Sequence, residues 1–424
     1  MNISIKAGIL PVALLNTVAM TAANDSIVWK RQVYSTGHVR FRQEVLASPA
    51  MRNYLHTPSI SEFSVYATTE PAAAARIPQV GRGGKQFGME ASSFQQLGAN
   101  SVVWGKASYQ NGKKYDVTWN ETSDFLLLYP YVMGDAKGGD QNYESYRLDG
   151  GYSTRHGKTC YGVDLGYRTL SEYRDRDPRP NNTVADLYAQ GGIGLNIWGS
   201  YSVALTATAG KYKQTNELAF YNELGTQMVY HLTGIGNDFT RFSGQGKNCF
   251  YKGYSIGAEI SMASKETTGW SASAGYLFTR KEKVPTDLNR LPLNRLEVNS
   301  LDGAVGYNNE DYGVRLTGNV AQRKGIDNLF GDATGNIYPQ IGSRKQYDGK
   351  IEKIKAEGFW NVNWTEKTDV NIEPEIACAS FKNSHHTSGN LLKSSDLTMG
   401  VTASIVHANA KNMVCAKAKI RRRE

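Results

Sequence analysis

The amino-acid sequence predicts an all-β fold, a transmembrane antiparallel up-and-down β-barrel of about 14–16 strands with short turns at one end and long loops at the other. Three observations support this prediction: the composition, an apolar–polar alternation with a period of two, and a regular succession of short and long connections. The 424 residues include 43 glycines and 25 tyrosines. Glycine is costly inside helices and tyrosine favours pleated surfaces, so the composition favours strands.

The N-terminal residues 1–23 have the pattern of a secretory signal peptide. Lys6 supplies a positive charge, an apolar stretch runs over 7–19, and Thr21-Ala22-Ala23 is a small-residue cleavage site. The alternative is a buried N-terminal helix. No later apolar run approaches the roughly 18 residues that a spanning helix requires. We therefore expect an exported protein without a helical anchor, located in the periplasm, outside the cell or in the outer membrane.

Period-two alternation recurs along the chain. In 146–152 and 161–168, Tyr, Leu and Val alternate with Gly, Arg and Asp, and the same pattern returns at 254–262, 270–279, 312–320 and 354–364. The polar face mixes small residues with charges of both signs, and the apolar face often carries an aromatic residue at the end of the strand. This arrangement is typical of a membrane barrel with a polar lumen, whereas a soluble sandwich places its aromatic bulk at the centre of the inward face.

The connections between these segments alternate in length. Short links are predicted near 111–112, 155–158, 199–200, 265–268, 308–311, 366–367 and 409–411. Long polar stretches are predicted at 121–143, 171–186, 213–251, 281–296, 323–350 and 381–395. Short periplasmic turns and long external loops are the pattern of outer-membrane barrels. Additional strands are predicted at 59–67 and 85–94, and Thr226 to His231 is either a strand or part of a folded loop.

The predicted domain organisation is a signal peptide at 1–23, a short N-terminal segment at 24–58 and the barrel at 59–424. Pro49 interrupts any helix in the second part. That part is either a small plug inside the lumen or a periplasmic extension. The chain ends KAKIRRRE instead of at the aromatic residue usual in such barrels. The alternatives are an altered last strand and a chain that continues beyond Glu424.

Three stretches carry a resemblance to a known family: VLASPAMRNYL at 45–55, YRLDGGYS at 146–153 and YGVDLGYRTLSEYRDRDPRPNN at 161–182. With them the sequence resembles an uncharacterised outer-membrane β-barrel family of Bacteroidota, a domain of unknown function. The resemblance implies fold and location, and it implies no activity. Ser48-Pro49-Ala50 is also faintly similar to the Asn-Pro-Ala stretch of long-chain fatty-acid channel barrels, which carry an N-terminal hatch.

Charged residues on the predicted lumen face are candidates for a constriction that selects solutes. The alternative is a set of salt bridges that stiffens the barrel. The candidates are Arg147, Asp149, Asp164, Arg168, Glu259 and Arg315, with Asp302, Glu357, Glu373 and Glu375 on the same face. The first four lie on adjacent strands and form the strongest candidate group.

The loop RDRDPRPNN at 174–182 is the second candidate region. Arg174, Asp175, Asp177 and Arg179 could bind an external ligand or narrow the pore, and the alternative is a solvated loop stiffened by proline. The spacing of the four cysteines and of His385-His386 matches no metal site, and no disulfide, metal or cofactor is predicted.

The predicted function is that of an outer-membrane channel or transport accessory for small solutes in a Gram-negative envelope. The alternatives are a structural or assembly barrel that binds surface lipoproteins or a receptor partner, and a barrel hydrolase. No serine is evident at matched depth to His231 or His407, so we expect no enzymatic activity. The predicted partners are outer-membrane lipids and a neighbouring lipoprotein or energised receptor. The net charge of +9 is scattered, so nucleic acid is not a predicted partner.

Overall fold

A computed structural model describes residues 10–12, 36–55, 57–70, 77–222, 227–244, 248–335, 337–365, 368–408 and 413–423. Most of the predicted signal peptide and the start of the predicted segment 24–58 lie outside the described residues. The strands are β1 Leu10–Val12, β2 Ile60–Glu70, β3 Gly83–Gln96, β4 Ser101–Val117, β5 Met133–Gly134, β6 Gly139–His156, β7 Thr159–Tyr173, β8 Arg179–Trp198, β9 Tyr201–Ala219, β10 Tyr230–Gly234, β11 Asn237–Asp238, β12 Cys249–Ser264, β13 Gly269–Pro285, β14 Asn294–Asn308, β15 Tyr312–Phe330, β16 Gln340–Thr365, β17 Thr368–His385, β18 Leu391–Ala408 and β19 Met413–Arg423.

Helical structure is confined to four short elements among the described residues. They are α1 Gly37–Val45, α2 Phe125–Leu128, and the 3₁₀ helices η1 Pro49–Tyr54 and η2 Thr240–Phe242. Across the described part of the chain, none of the helices combines the length and the apolar character needed to cross a membrane.

Sixteen strands form one antiparallel sheet in the order β1-β19-β18-β17-β16-β15-β14-β13-β12-β9-β8-β7-β6-β4-β3-β2. Apart from the three-residue β1, each of them has between 11 and 26 residues. Neighbours in the sheet are neighbours along the chain, except that β5, β10 and β11 form a small separate sheet and β1 joins β19. This confirms the predicted up-and-down topology and strand number. The edges of the ladder are β1 and β2, and no pairing joins these two among the described residues.

The apolar face of the sheet is the outer, exposed face. The side chains of Leu148, Leu165 and Ile256 are 58%, 57% and 59% exposed, and each belongs to one of the predicted alternating segments. A soluble sandwich would bury this face against a second sheet. An exposed apolar surface along most of the long strands, as seen here, is instead what lipid requires. The chain is an outer-membrane β-barrel.

The connections confirm the predicted rhythm. The short ones at 97–100, 157–158, 199–200, 265–268 and 309–311 define the turn end of the barrel, and the links predicted at 366–367 and 409–411 lie outside the described residues. The longer ones at 71–82, 118–138, 174–178, 220–248, 286–293, 331–339 and 386–390 define the loop end. Many strands exceed the roughly 9–11 residues that cross a bilayer. The excess lies at the loop end, so much of the predicted loop 171–186 is strand.

One predicted turn was wrong. Asn111-Gly112 lies inside β4, and the turn before β4 is at 97–100. A Cβ on Gly112 would lie 2.6 Å from the hydroxyl oxygen of Tyr143. The glycine therefore makes room for the side chain of Tyr143. In the sequence, a glycine required for this reason looks the same as a glycine required by a turn.

The sheet surrounds the segment formed by α1 and η1, residues 36–55, which we call the N-terminal segment. Its η1 contacts β4 and β6–β9, and its α1 contacts β15–β17. One short segment can touch both groups of strands only if the sheet curves around it. All these contacts are close to the turn end of the barrel.

Candidate functional site

At the turn end, the inner wall is shaped to receive η1. The hydroxyl oxygens of Ser48 and Thr206 are 2.8 Å apart, and Ser153 donates a hydrogen bond of 3.2 Å to the carbonyl of Ala50. A Cβ on Gly162 would lie 2.2 Å from the carbonyl carbon of Pro49. Glycine is therefore required on this strand for the backbone of η1 to approach the wall.

Charged side chains fix α1 in the same region. Arg42, only 3% exposed, donates hydrogen bonds to the carbonyls of Ser264 (3.1 Å) and Tyr54 (3.2 Å). Burial lowers the pKa of Arg42 to about 10. Glu44 pairs with Arg315 at 2.7 Å, and Arg40 pairs with Glu373. The predicted lumen residues Arg315 and Glu373 therefore hold the N-terminal segment.

At the loop end, the connection 118–138, which we call the infolded loop, enters the lumen. Arg323 donates hydrogen bonds to the carbonyls of Leu126 (2.9 Å), Leu127 (3.3 Å) and Tyr129 (2.5 Å), where α2 ends. A guanidinium at the carboxyl end of a helix satisfies carbonyls that have no partner within the helix. Two strands away, on β13, the buried Lys283 donates to the carbonyl of Val132 at 2.9 Å.

The residue that precedes α2 in the infolded loop also contacts strands β7 and β9. Asp124 precedes α2 and accepts hydrogen bonds from Arg168 at 3.1 and 2.5 Å and from the Tyr212 hydroxyl at 3.0 Å. Arg168 also lies 3.6 Å from Asp186. Arg168 is thus an anchor for the loop.

A buried ion cluster secures the base of the infolded loop. Arg174 donates to Asp135 at 2.7 Å and lies 3.5 Å from Glu121, and the three side chains are at most 1% exposed. Burial, followed by the neighbouring Asp135, raises the pKa of Glu121 well above its usual range, although Arg174 opposes the shift. When Glu121 is protonated, the Asp135 carboxylate is the one negative charge that balances the Arg174 guanidinium. The protonated Glu121 can also donate a hydrogen bond toward Asp135.

The rest of the 174–182 region makes contacts with its own neighbours. Asp177 accepts hydrogen bonds from the backbone N–H groups of Tyr221 (2.7 Å) and Asn222 (2.6 Å) and from Arg179 (2.7 Å). The Arg179 guanidinium lies 4.3 Å from the centre of the Tyr221 ring. Asn142 donates to Asp175 at 3.2 Å. These contacts fasten the loop to the adjacent connection.

The predicted constriction residues on β6 and β7 have different side-chain partners, although Arg147 and Arg168 are directly opposite each other. Arg147 pairs with Asp149 at 2.7 Å, and Tyr188 donates to Asp149 at 3.0 Å. Asp164 is buried and interacts with Arg52 of η1, whereas Arg168 reaches the infolded loop. The structure therefore brings one predicted pair together and divides the other two residues between the two ends.

A separate acidic group faces them across the lumen. Glu259 interacts with Asp302 and with Arg315, and Asn319 donates a hydrogen bond of 2.6 Å to Asp302. These residues come from β12, β14 and β15. Among them, Glu259 and Arg315 are predicted constriction residues that do lie near each other.

The N-terminal segment and the infolded loop close opposite ends of the lumen, and we call them the two covers. Between them, inward-facing charged side chains remain exposed. The Arg147 side chain is 49% exposed, and Asp302 and Lys353 are exposed although their strands place them on the inner wall. Side chains on an inner wall can contact solvent only if the space beside them is open. The middle of the lumen is therefore an open chamber with a charged wall.

Sequence reasoning missed the residues that hold the infolded loop: Glu121, Asp124, Asp135, Tyr212, Lys283 and Arg323. Two signals were available: the dense charge pattern around Arg174 and the apolar run FLLLYPYVM at 125–133 inside a predicted polar loop. Of the predicted strand or loop at Thr226 to His231, Thr226 lies outside the described residues, and the end of the segment forms β10, which pairs with β5 of the infolded loop.

The histidine pair lies at the loop end of β17. His385 Nε2 is 3.2 Å from both Thr233 and Gln346, and His386 is 2.7 Å from Asp348. Over the residues that the structure describes, no group of three His, Cys, Asp or Glu side chains is placed to hold a metal ion.

Comparison with known proteins adds one family and several likenesses in fold. The profile of a family of unknown function (DUF6850) matches residues 49–422. No curated protein matches the sequence. Among solved structures, the ferric preacinetobactin receptor BauA of Acinetobacter baumannii shares 9% identity and a TM-score of 0.38, covering 86% of this chain and 77% of that one.

Two further solved structures are similar at the same low level. A Pseudomonas aeruginosa FadL homologue shares 9% identity and a TM-score of 0.36, covering 89% of this chain and 91% of that one. CdiB of Escherichia coli shares 12% identity and a TM-score of 0.38, covering 88% and 69%. Nothing about function is taken from these likenesses.

Proposed function

Because the chain belongs to a family of unknown function (DUF6850), we propose its role from its geometry: a gated outer-membrane channel for small polar solutes. The observation that carries this proposal is the open, charged chamber. Arg147, Asp302 and Lys353 stay exposed on the inner wall between the two covers. A barrel with a purely structural role has no need of water-accessible charges at mid-height, whereas a polar pore requires them.

In this proposal the N-terminal segment is a plug and the infolded loop is an external gate. Each is held to the wall by side-chain contacts, such as Ser48 with Thr206 and Arg168 with Asp124. Neither cover belongs to the strand ladder. A cover of this kind can move while the barrel stays intact, and passage of solute requires that both covers shift. The predicted origin in a Bacteroidota outer membrane belongs to the same proposal.

A structural or assembly barrel is the second candidate, and one observation favours it. The two covers occupy opposite ends of the lumen, and the cluster of Arg174, Glu121 and Asp135 is fully buried. Such a barrel would present its long loops to a surface lipoprotein or receptor and pass no solute.

We also propose that the chain is not an enzyme. A serine–histidine contact exists at the loop end, where His385 Nδ1 lies 2.9 Å from Ser388 Oγ. The other ring nitrogen faces Thr233 and Gln346 rather than a carboxylate. A histidine base in a catalytic triad needs an acid on its second nitrogen. Hydrolysis of lipid or peptide substrates that disappeared in Ser388→Ala would contradict this part of the proposal.

Planar-bilayer recording of the purified, refolded or membrane-extracted protein tests the channel. Discrete, reproducible conductance steps are expected. Heat-modifiable mobility on gels controls for an intact barrel in every sample. A silent bilayer with a correctly folded sample, together with stable co-purification of a lipoprotein, would reject the channel in favour of the structural barrel.

A further inference from the structure

Three lysines stand side by side on the outer face of the barrel near the loop end. Lys350 of β16 is directly opposite Lys382 of β17, and Lys382 is directly opposite Lys393 of β18. All three residues are exposed. In β17, Lys382 alternates in step with Ile376, which is 42% exposed, so this row lies on the lipid side. We call these residues the lysine row.

The lysine row lies just beyond the apolar band. On β16, Ile354 is 60% exposed and Lys350 follows four residues nearer the loop end (354 against 350). With a rise of about 3.3 Å per residue and a tilt of about 40°, Lys350 is roughly 10 Å above Ile354. On β18, Lys393 lies six residues beyond Met399 (399 against 393), which is 46% exposed. This is the height at which lipid headgroups of the outer leaflet begin.

The protein neutralises only a part of this charge. Like charges directly opposite each other on neighbouring strands repel. Lys350 pairs with Glu352 at 2.6 Å. Among the described residues, no carboxylate forms an ion pair with Lys382 or Lys393. Two adjacent ammonium groups without an ion pair within the described residues attract an anion from outside the protein.

An apolar hollow lies below the lysine row on the same strands. It has a volume of about 770 Å³, and its wall includes Val314, Trp360, Ile372, Ile376, Met399 and Val401. Gly358 and Pro374 also line it. Gly358 has no side chain to fill the surface, which is why a depression forms among larger outward-facing neighbours.

From these two features together we propose that β16–β18 form a binding site for a phosphorylated lipid of the outer leaflet. Phosphate groups of the headgroup contact Lys382 and Lys393, with Lys350 at the side, and an acyl chain lies in the hollow. Free phosphate would use only the lysines and would leave the hollow unexplained. If a second copy of this chain bound here through the same surface, its lysine row would face this one and the repulsion would increase.

Binding of defined lipids to the detergent-solubilised full-length protein tests the site, with native mass spectrometry as the readout. The probes are bis-phosphorylated lipid A, the same lipid without phosphates, and inorganic phosphate. The variant is Lys382→Gln with Lys393→Gln. The matched control is Lys353→Gln, which removes the same kind of charge from β16 but from the inner wall.

The unaltered protein should retain bis-phosphorylated lipid A, and the double variant should bind it roughly 30-fold more weakly, about fivefold for each lysine. Lys353→Gln should bind it like the unaltered protein. Ala356→Phe, which fills the hollow, should also weaken binding while leaving the lysines in place.

Three results would overturn the proposal. Equal retention by the double variant, or equal retention of the lipid without phosphates, would remove the lysine row from the site. Inorganic phosphate bound as tightly as the lipid would show that the ligand is a free anion. Heat-modifiable mobility establishes that each variant is folded, and unchanged bilayer conductance of the double variant Lys382→Gln with Lys393→Gln separates this site from the proposed channel.

Discussion

Replacement of Arg174 by glutamine tests whether the infolded loop is held by its buried ion cluster. The guanidinium bonds Asp135 at 2.7 Å and lies 3.5 Å from Glu121, in a site where none of the three side chains is more than 1% exposed. Glutamine keeps a hydrogen-bond donor and removes the charge. The expected result is a loop that opens more often while the barrel stays folded.

The magnitude follows from the charge that is left behind. Removing one member of a buried ion pair costs about 3–5 kcal/mol, because the other member stays buried without compensation. The raised pKa of Glu121 allows that group to be neutral, so Asp135 alone is stranded. Asp135 also accepts hydrogen bonds from the N–H groups of Lys137 and Gly138, both at 2.8 Å. We therefore expect the lower limit, about 3 kcal/mol, or roughly a 100-fold change in the opening equilibrium.

Hydrogen exchange measured by mass spectrometry on the protein in detergent provides the assay. Amides of residues 119–135 should exchange roughly 100-fold faster in Arg174→Gln, whereas β12 and β13 should be unaffected. Arg176→Gln is the matched control, because Arg176 is exposed in the same connection. Adding Asp135→Asn to Arg174→Gln should restore part of the protection. Exchange in Arg174→Gln within about threefold of the unaltered protein would refute the role of the cluster.

Two further predictions concern the covers. The pKa of Glu121 is higher in the closed loop than in an exposed chain, so the closed loop binds a proton more tightly. Closed-loop stability is then greatest below pH 4.5, the ordinary value, and falls as the pH rises from there toward the raised pKa; Glu121→Gln should abolish this pH dependence of amide exchange. Gly162→Val should displace η1 from the wall, since even a Cβ would lie 2.2 Å from Pro49, and should raise single-channel conductance. Gly191→Val is its control, because a Cβ there meets nothing within 4 Å; equal conductance of both variants would contradict the plug.

The sequence predicts the wall of the barrel well, because the alternation of apolar and polar residues within each strand indicates which face is apolar. In β7, for example, Val163 and Leu165 are outward and Gly162 and Asp164 are inward, as alternation alone predicts. The number and direction of the strands then follow from the connections. The turn predicted at Asn111-Gly112 failed because glycine serves two purposes, and only the position of Tyr143 on the next strand distinguishes them.

The contents of the lumen are less predictable. Arg174 and Asp135 are 39 positions apart, and Arg323 and Leu126 are 197 apart. The stretch 118–138 contains the apolar run FLLLYPYVM at 125–133, of which Leu128 and Met133 are buried, but this run does not show which strands the stretch contacts. The charge density around Arg174 marked the right region. It could not show that Arg174 is buried, whereas its neighbour Arg176 is exposed.

In the channel proposal the two covers lie in series along one pathway. This arrangement predicts how the conductance increases caused by opening each cover should combine. A barrel of 16 strands is too wide for wall side chains to fill, so its conductance is limited by what lies inside. Resistances in series add. Opening only the infolded loop with Arg174→Gln leaves the N-terminal segment in place, and Gly162→Val leaves the infolded loop in place. Each variant alone should therefore raise conductance modestly, and the combined variant should raise it by more than the sum of the two increases. Simple additivity of the two increases, with both variants folded, would mean that the covers do not lie on one conducting path.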